Sequence, residues 1–180
     1  MATVEYDSTA GGSGTRRYRS SLRRMQAAQT RRVVLEAATR LFAERGWVGT
    51  GMREVARTAG VSVETVYATF GSKADLLKSA LDVAVVGDDA PVPLAARPAY
   101  TEIGSGRTTG ERIEITARMI ALINARLHRL AAALRQGATV DPALAAVVAD
   151  LERQRRLSIA DVVGVILGRH PDPGQVDELW

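Results

Sequence analysis

The sequence predicts an all-α protein, and three observations carry that expectation. Alanine occurs 29 times and arginine 22 times in 180 residues, a composition that favours helix. Aromatic residues make up only 4%, so the core must be aliphatic and the residues that favour strands are scarce. Apolar positions recur at three- and four-residue spacing along most of the chain, and none alternate with period two for long enough to argue a strand.

Taken in order, residues 1–14 are rich in Gly, Ser and Thr without periodicity. With Arg16–Arg24 they read as a disordered basic arm spanning 1–29, inside which Met25 is an alternative start. A first helix is predicted from Thr30 as N-cap, with Val34, Ala37, Ala38, Leu41 and Phe42 on one face and Gly46 as its stop. Thr50 is the candidate cap of a short second helix with Met52, Val55 and Ala56 inward. Thr58-Ala59-Gly60-Val61 is a tight turn in which Gly60 takes positive φ. Ser62 caps a third helix reaching about Thr69, and Gly71 breaks it. Ser72-Lys73-Ala74-Asp75 is a capping-box signature that opens a fourth helix, with Leu76, Leu77, Ala80, Leu81 and Ala84 as its apolar positions.

Pro91, Pro93 and Pro98 make residues 87–110 a linker with room for a short helix near 94–103. A long helix follows from Glu111 to about Gln136. Its stripe of Ile113, Ala117, Ile120, Ile123, Leu127, Leu130 and Leu134 is widened by Ile115, Met119 and Leu122, which predicts burial on more than one side. Asp141-Pro142 pairs an N-cap with Pro at the first helical position. That helix extends to about Leu167, until Pro171, Pro173 and Gly174 end it. Gln175–Trp180 has the look of a further helix that begins and stops short.

Several functional classes drop out. The chain has no cysteine, so disulfides, thiolate metal sites and a cysteine nucleophile are excluded. Its two histidines, His128 and His170, are too far apart in sequence for a compact zinc motif. No metal or other cofactor is expected. The longest apolar run, Val162–Gly168, falls far short of the roughly 20 residues a membrane span needs. The first residues carry Glu5 and Asp7 without an apolar stretch, so no signal peptide and a cytoplasmic protein are expected. Glu111 and Glu114 are neighbours on a helix surface but lack a nucleophile, a metal set or a phosphate loop, so an enzyme is not expected.

Charge is distributed unevenly. Between residues 15 and 57 eleven arginines face only Glu36, Glu44 and Glu54, a local +8 within a chain of formal +4, which leaves −4 elsewhere. A basic segment on a mildly acidic body suits a polyanion partner, although a solvated arm has the same composition.

The stretch Thr50–Leu77 joins two short helices through a glycine-containing turn, the spacing of a helix-turn-helix whose second helix enters the major groove. Ser62, Glu64, Thr65, Ala68 and Thr69 are expected outward and Val55 and Val66 inward. The words themselves add more: Phe42-x-x-x-Gly46-Trp47-x-x-Thr50, Val55-Ala56-x-x-Ala59-Gly60-Val61-Ser62 and Thr65-Val66-Tyr67-x-x-Phe70-Gly71-Ser72-Lys73-x-x-Leu76-Leu77. Over residues 30–86 the chain closely resembles the tetracycline-repressor-like (TetR) family.

The resemblance implies a DNA-binding head over 30–77 and a helical regulatory and dimerisation half over 78–180. It implies a homodimer on a palindromic double-stranded operator, released by a small-molecule effector. On this reading Thr50 is a phosphate-binding helix cap, the Tyr67 hydroxyl meets a phosphate, and Lys73 anchors the next helix to the DNA backbone. Ser62, Val63, Glu64, Thr65 and Ala68 lie where base edges are touched. Arg31 and Arg32 are candidates for phosphate or minor groove. Phe42, Trp47 and Phe70 are expected in the core, and Glu152–Arg156 on a solvated face. An effector pocket would be aliphatic, from Met119, Leu122, Ile123, Leu151 and Ile159, with Asn124 and His128 as polar groups. Polar residues placed like Asn124 and His128 more often sit on a helix–helix or dimer seam. Family members commonly continue for two more helices, so the regulatory half is read as incomplete at its C-terminal end. Two readings follow: a ligand-responsive homodimeric repressor, or a truncated regulator with weak dimerisation and impaired operator binding.

Overall fold

A computed structural model describes residues 12–90, 92 and 96–168, and among them every regular element is a helix. In chain order these are α1 (Gly12–Arg45), α2 (Met52–Ala59), α3 (Val63–Phe70), α4 (Lys73–Val86), α5 (Pro98–Thr101), a 3₁₀ turn at Glu102–Ser105, α6 (Thr109–Ala138) and α7 (Pro142–Leu167). The expected helix start at Gln175 and residue His170 lie outside the described residues.

α1 departs from the expectation. It begins at Gly12, not at a Thr30 cap, so the backbone over 12–29 is helical where the sequence predicts a disordered arm. Arg, Leu, Met, Gln and Ala are all good helix formers, and a packed helix downstream removes the cost of nucleation. Over Leu22–Gln29 the helix adds nothing to the core, since all eight residues are exposed. Packing starts at Val34, and Val34, Leu35, Ala37, Ala38, Leu41 and Phe42 are buried.

The other helix ends follow local chemistry. Gly46, Gly60, Gly71 and Gly87 all take positive φ, at 68°, 69°, 79° and 98°. Ser62 accepts from Thr65 N, Ser72 from Asp75 N and Asp141 from Ala143 N. Ser72 and Asp75 form half a capping box: the Ser72 hydroxyl also bonds the Asp75 carboxylate at 2.6 Å. The complete box is at Thr108, whose side chain accepts from Glu111 N while Glu111 accepts from Thr108 N. It starts α6 two residues before the expected Glu111.

One core joins the first four helices to the α6–α7 hairpin. Phe42 and Trp47 stack with centroids 6.0 Å apart and share one buried cluster with Leu76, Leu77 and Leu81 of α4. Leu130, Ala133 and Leu134 of α6 and Leu144 of α7 close the same cluster. Gly137 marks the closest approach: a Cβ there would lie 2.2 Å from Leu144 Cδ1 and 2.9 Å from the Trp47 ring. At the far end of the hairpin, Arg112 donates to the carbonyls of Val165 and Ile166 at 3.2 and 3.3 Å. Ile103, on the 3₁₀ turn, is fully buried. The broad stripe of α6 is only partly covered, because Ile113, Ile120 and Leu122 are exposed. Among the described residues no helix is long and apolar enough to cross a membrane, and no cluster of three metal-ligating side chains occurs.

Candidate nucleic-acid interface

α2 and α3 meet through a turn closed by two backbone bonds, Gly60 N to Arg57 O and Val61 N to Ala56 O. Gly60 carries the left-handed residue this geometry needs. Ser62 then opens α3. Its hydroxyl accepts from Thr65 N at 3.1 Å and pairs with the Thr65 hydroxyl at 2.9 Å. Val66 and Phe70 are buried against the core, which fixes the rotation of the helix. The opposite side presents Ser62, Glu64, Tyr67 and Ala68 to solvent, with Val63, Thr65 and Thr69 half-buried at its margins. Tyr67 is 51% exposed. Small side chains around one aromatic, on a helix whose first turn carries the positive end of the macrodipole, suit a negatively charged groove.

The two flanking phosphate candidates are placed differently. Thr50 does not cap α2. The cap position is Gly51, which makes no side-chain bond. Thr50 is 1% exposed and its hydroxyl donates to Gly46 O at 2.8 Å, so it closes the loop after α1 from within. The Lys73 ammonium donates to Trp47 O at 2.5 Å and lies 4.0 Å from the Trp47 ring centroid. Burial pushes its pKa below the ordinary lysine value, an effect that nearby Asp141 partly offsets. A loop carbonyl and a ring face compete for this cation with any external phosphate.

Arg31 is committed inside the chain. Its Nε donates to Asp89 at 2.8 Å, and its guanidinium carbon sits 4.8 Å from the Phe70 ring centroid. Arg32 points outward and bonds Glu36 and Gln29. On α2, the exposed Arg53 and Arg57 are cations that the motif alone does not single out. The first helix of a helix-turn-helix crosses the DNA backbone, so position on α2 is the signal that finds them. Glu54 links Arg57 to Arg45 at 2.9 and 2.7 Å. The Arg45 and then the Arg57 hydrogen bond hold its carboxyl below the usual range.

The residues named for an effector pocket differ in exposure. Met119 is buried, Ile123, Leu151 and Ile159 are half-buried, and Leu122, Asn124 and His128 face solvent. Two open concavities lie elsewhere, one beside Arg40, Arg45 and Arg57 and one beside Arg31, Val83 and Asp89. A helical stripe predicts which side chains share a face, but not whether a second surface leaves a gap beside it. Phe42, Trp47 and Phe70 are buried and Glu152–Arg156 are exposed, as expected.

Comparison with known proteins singles out the same segment. Residues 34–80 match the family model described as bacterial regulatory proteins, tetR family. Two curated relatives from Pseudomonas putida, the HTH-type transcriptional regulator TtgR and the probable HTH-type transcriptional regulator ArpR, are each 39% identical over 57 residues. That is 32% of this chain and 27% of each relative, so the match spans about a quarter of their length. Beyond it, a solved structure from Mesorhizobium loti MAFF303099, described as a TetR-family transcriptional regulator, superposes with a TM-score of 0.57. It is 23% identical, over 79% of this chain and 70% of that one, a likeness of fold.

Proposed function

We propose that this chain is a sequence-specific transcriptional regulator of the tetR family, whose family model residues 34–80 match, and that it seats α3 in the DNA major groove. Residues 30–77 form the DNA-binding head and 78–180 the regulatory and dimerisation half. The observation that carries the reading is the outer face of α3, with Ser62, Glu64, Tyr67 and Ala68 exposed on a helix held from behind by Val66 and Phe70.

Within it, Ser62, Val63, Glu64, Thr65 and Ala68 approach base edges, and Glu64 accepts from a cytosine amine. Tyr67 meets a phosphate, and Arg53 and Arg57 of α2 lie over the adjoining backbone. Thr50 and Lys73 act from behind the surface by holding the Gly46–Thr50 loop. Two heads are needed to read a palindromic operator, and exposed Ile113, Ile120 and Leu122 on α6 offer apolar surface for pairing. Repression is relieved when a small-molecule effector favours a state of the pair that fits DNA badly.

The test is selection of duplexes from a random-sequence library by the full chain, followed by an anisotropy titration over a salt series. The expected result is a recurrent two-fold sequence bound in preference to mixed sequence, with affinity falling steeply with salt. No enrichment above mixed sequence would overturn the reading. Sedimentation of the free chain and of its complex tests the pairing.

A further inference from the structure

One side of α6 is patterned as a helix-pairing seam yet stays uncovered among the described residues. Ile113, Ala117, Ile120, Asn124, Leu127 and Ala131 follow one another at alternating steps of four and three, the repeat of a helix that pairs with another helix. In a helix that serves only its own core such a stripe is buried. Here Ile113 is 52% and Ile120 46% exposed, Ala117 and Asn124 are exposed, and Leu127 and Ala131 are half-buried. The stripe enters the core only at its next step, Leu134. Arg118, Arg126 and Arg129 fall on the opposite side of the helix, together with Leu122.

Charge and shape select the partner. Glu114 stands at one end of this side and Arg135 at the other, about 31 Å away along the helix. The side chains of Glu114, Asn124 and Arg135 have no partner among the described residues. A second α6 laid parallel would set acid on acid and base on base. Laid antiparallel about the midpoint of the seam, residue 122, it sets each Glu114 against the stretch between His128 and Arg135 of the second copy. The same register puts Ile113 over Ala131, Ala117 over Leu127 and Ile120 over Asn124 of the second copy. Each layer matches a large side chain with a smaller one. Asn124, a polar residue within an apolar seam, fixes the alignment. Leu130 and Leu134, through which α6 joins the core of the head, come to lie towards opposite ends of the pair, so the two heads can meet separate half-sites.

We propose that this side of α6 docks a second copy of the chain, the two α6 helices running antiparallel about a two-fold axis at residue 122. The inference rests on the reading of the chain as a paired regulator and gives that pairing its surface and its geometry.

Sedimentation of full-length proteins at low salt, over a concentration series, tests it. Ile120→Glu is expected to raise the dissociation constant of the pair roughly 100-fold or more, since both copies bring a charge to the axis. Thermal melts check that each chain stays folded. Glu114→Arg and Arg135→Glu are each expected to weaken pairing about fivefold, because each change acts at both ends of the pair. The double change E114R/R135E is expected to restore it. The two positions are too far apart to meet within one helix, so restoration comes only from copies laid antiparallel. The chain has no cysteine, so a nitroxide can be attached at Ala125→Cys alone or at Ala132→Cys alone. The two labels of a pair are expected to lie about 15 Å farther apart at 132 than at 125, because along the axis these positions are about 30 and 9 Å from their own copies. Equal label distances, or a double change as weak as the single ones, overturn the antiparallel register. A wild-type pair that Ile120→Glu leaves intact overturns the surface, while pairing itself stands. A wild-type chain that sediments as a monomer at every concentration, free and on a selected duplex, overturns both and assigns the seam to another segment of the chain or to a different protein.

Discussion

Trp47 is the residue on which most of the head converges. Its ring stacks on Phe42 and carries the Lys73 ammonium, its carbonyl accepts from the same lysine, and its N–H donates to Gln136 Oε1 at 2.8 Å. Lys73→Met keeps an apolar stem over the ring and removes both the bond and the cost of burying the charge, so stability at neutral pH should change by less than about 1 kcal/mol. The lysine's pKa is lowered from 10.5, so between the lowered value and 10.5 the unfolded chain binds more protons than the folded one. Wild type should therefore gain stability relative to the methionine variant as pH rises through that window, in urea titrations at stepped pH. With the ammonium turned inward, the variant's DNA salt slope should match wild type. A slope smaller by about 0.9 would place the ammonium on phosphate. Tyr67→Phe should do the reverse: unfolding within about 0.5 kcal/mol of wild type because the ring is exposed, and DNA affinity lower by roughly tenfold from a lost bond to a charged oxygen. The sequence makes Trp47 a core residue and Tyr67 an outward one. It does not reveal that Lys73 and Thr50 turn inward, because those partners are a carbonyl far along the chain and one on the preceding loop.

Among elements, the short helices of the head are the most legible in the sequence. Ser62, Gly60 and Gly71 stand at their ends, and the inward set Met52, Val55, Ala56, Val66 and Phe70 is buried as the period requires. Ser62→Ala removes the bond to Thr65 N and should cost about 1 kcal/mol, read as a lower urea midpoint with an unchanged slope. A midpoint equal to wild type would mean that α3 is held by packing alone. The arm is illegible for the opposite reason. Periodicity reports burial, and Leu22–Gln29, all exposed, leave no apolar pattern to find. The Thr108–Glu111 box is written in the sequence by the same signature as Ser72–Asp75, but the prolines just upstream mask it by marking the whole stretch as a linker.

At the scale of the whole molecule, head and hairpin share one core through Gly137, which sits in helical backbone yet has no space for a methyl group. Gly137→Ala should raise local helix propensity and still destabilise the protein by about 1–3 kcal/mol, because Leu144 and the Trp47 ring must move. A thermal melt at or above that of wild type would disprove the close packing. That contact joins Trp47 to a residue on a helix far along the chain, so no local signal could have announced it. The same layout sets where the chain can change length. From Gly46 to Lys73 the connectors are two to six residues long and each is closed by a left-handed glycine or a capping hydroxyl bonded across it. One inserted or deleted residue there would rotate α2 or α3 by about 100° and turn its apolar face outward. Insertions in related chains should therefore be absent from 46–73 and collect in the longer connector between Gly87 and Thr108, where the loop can absorb them without rotating a helix of the head.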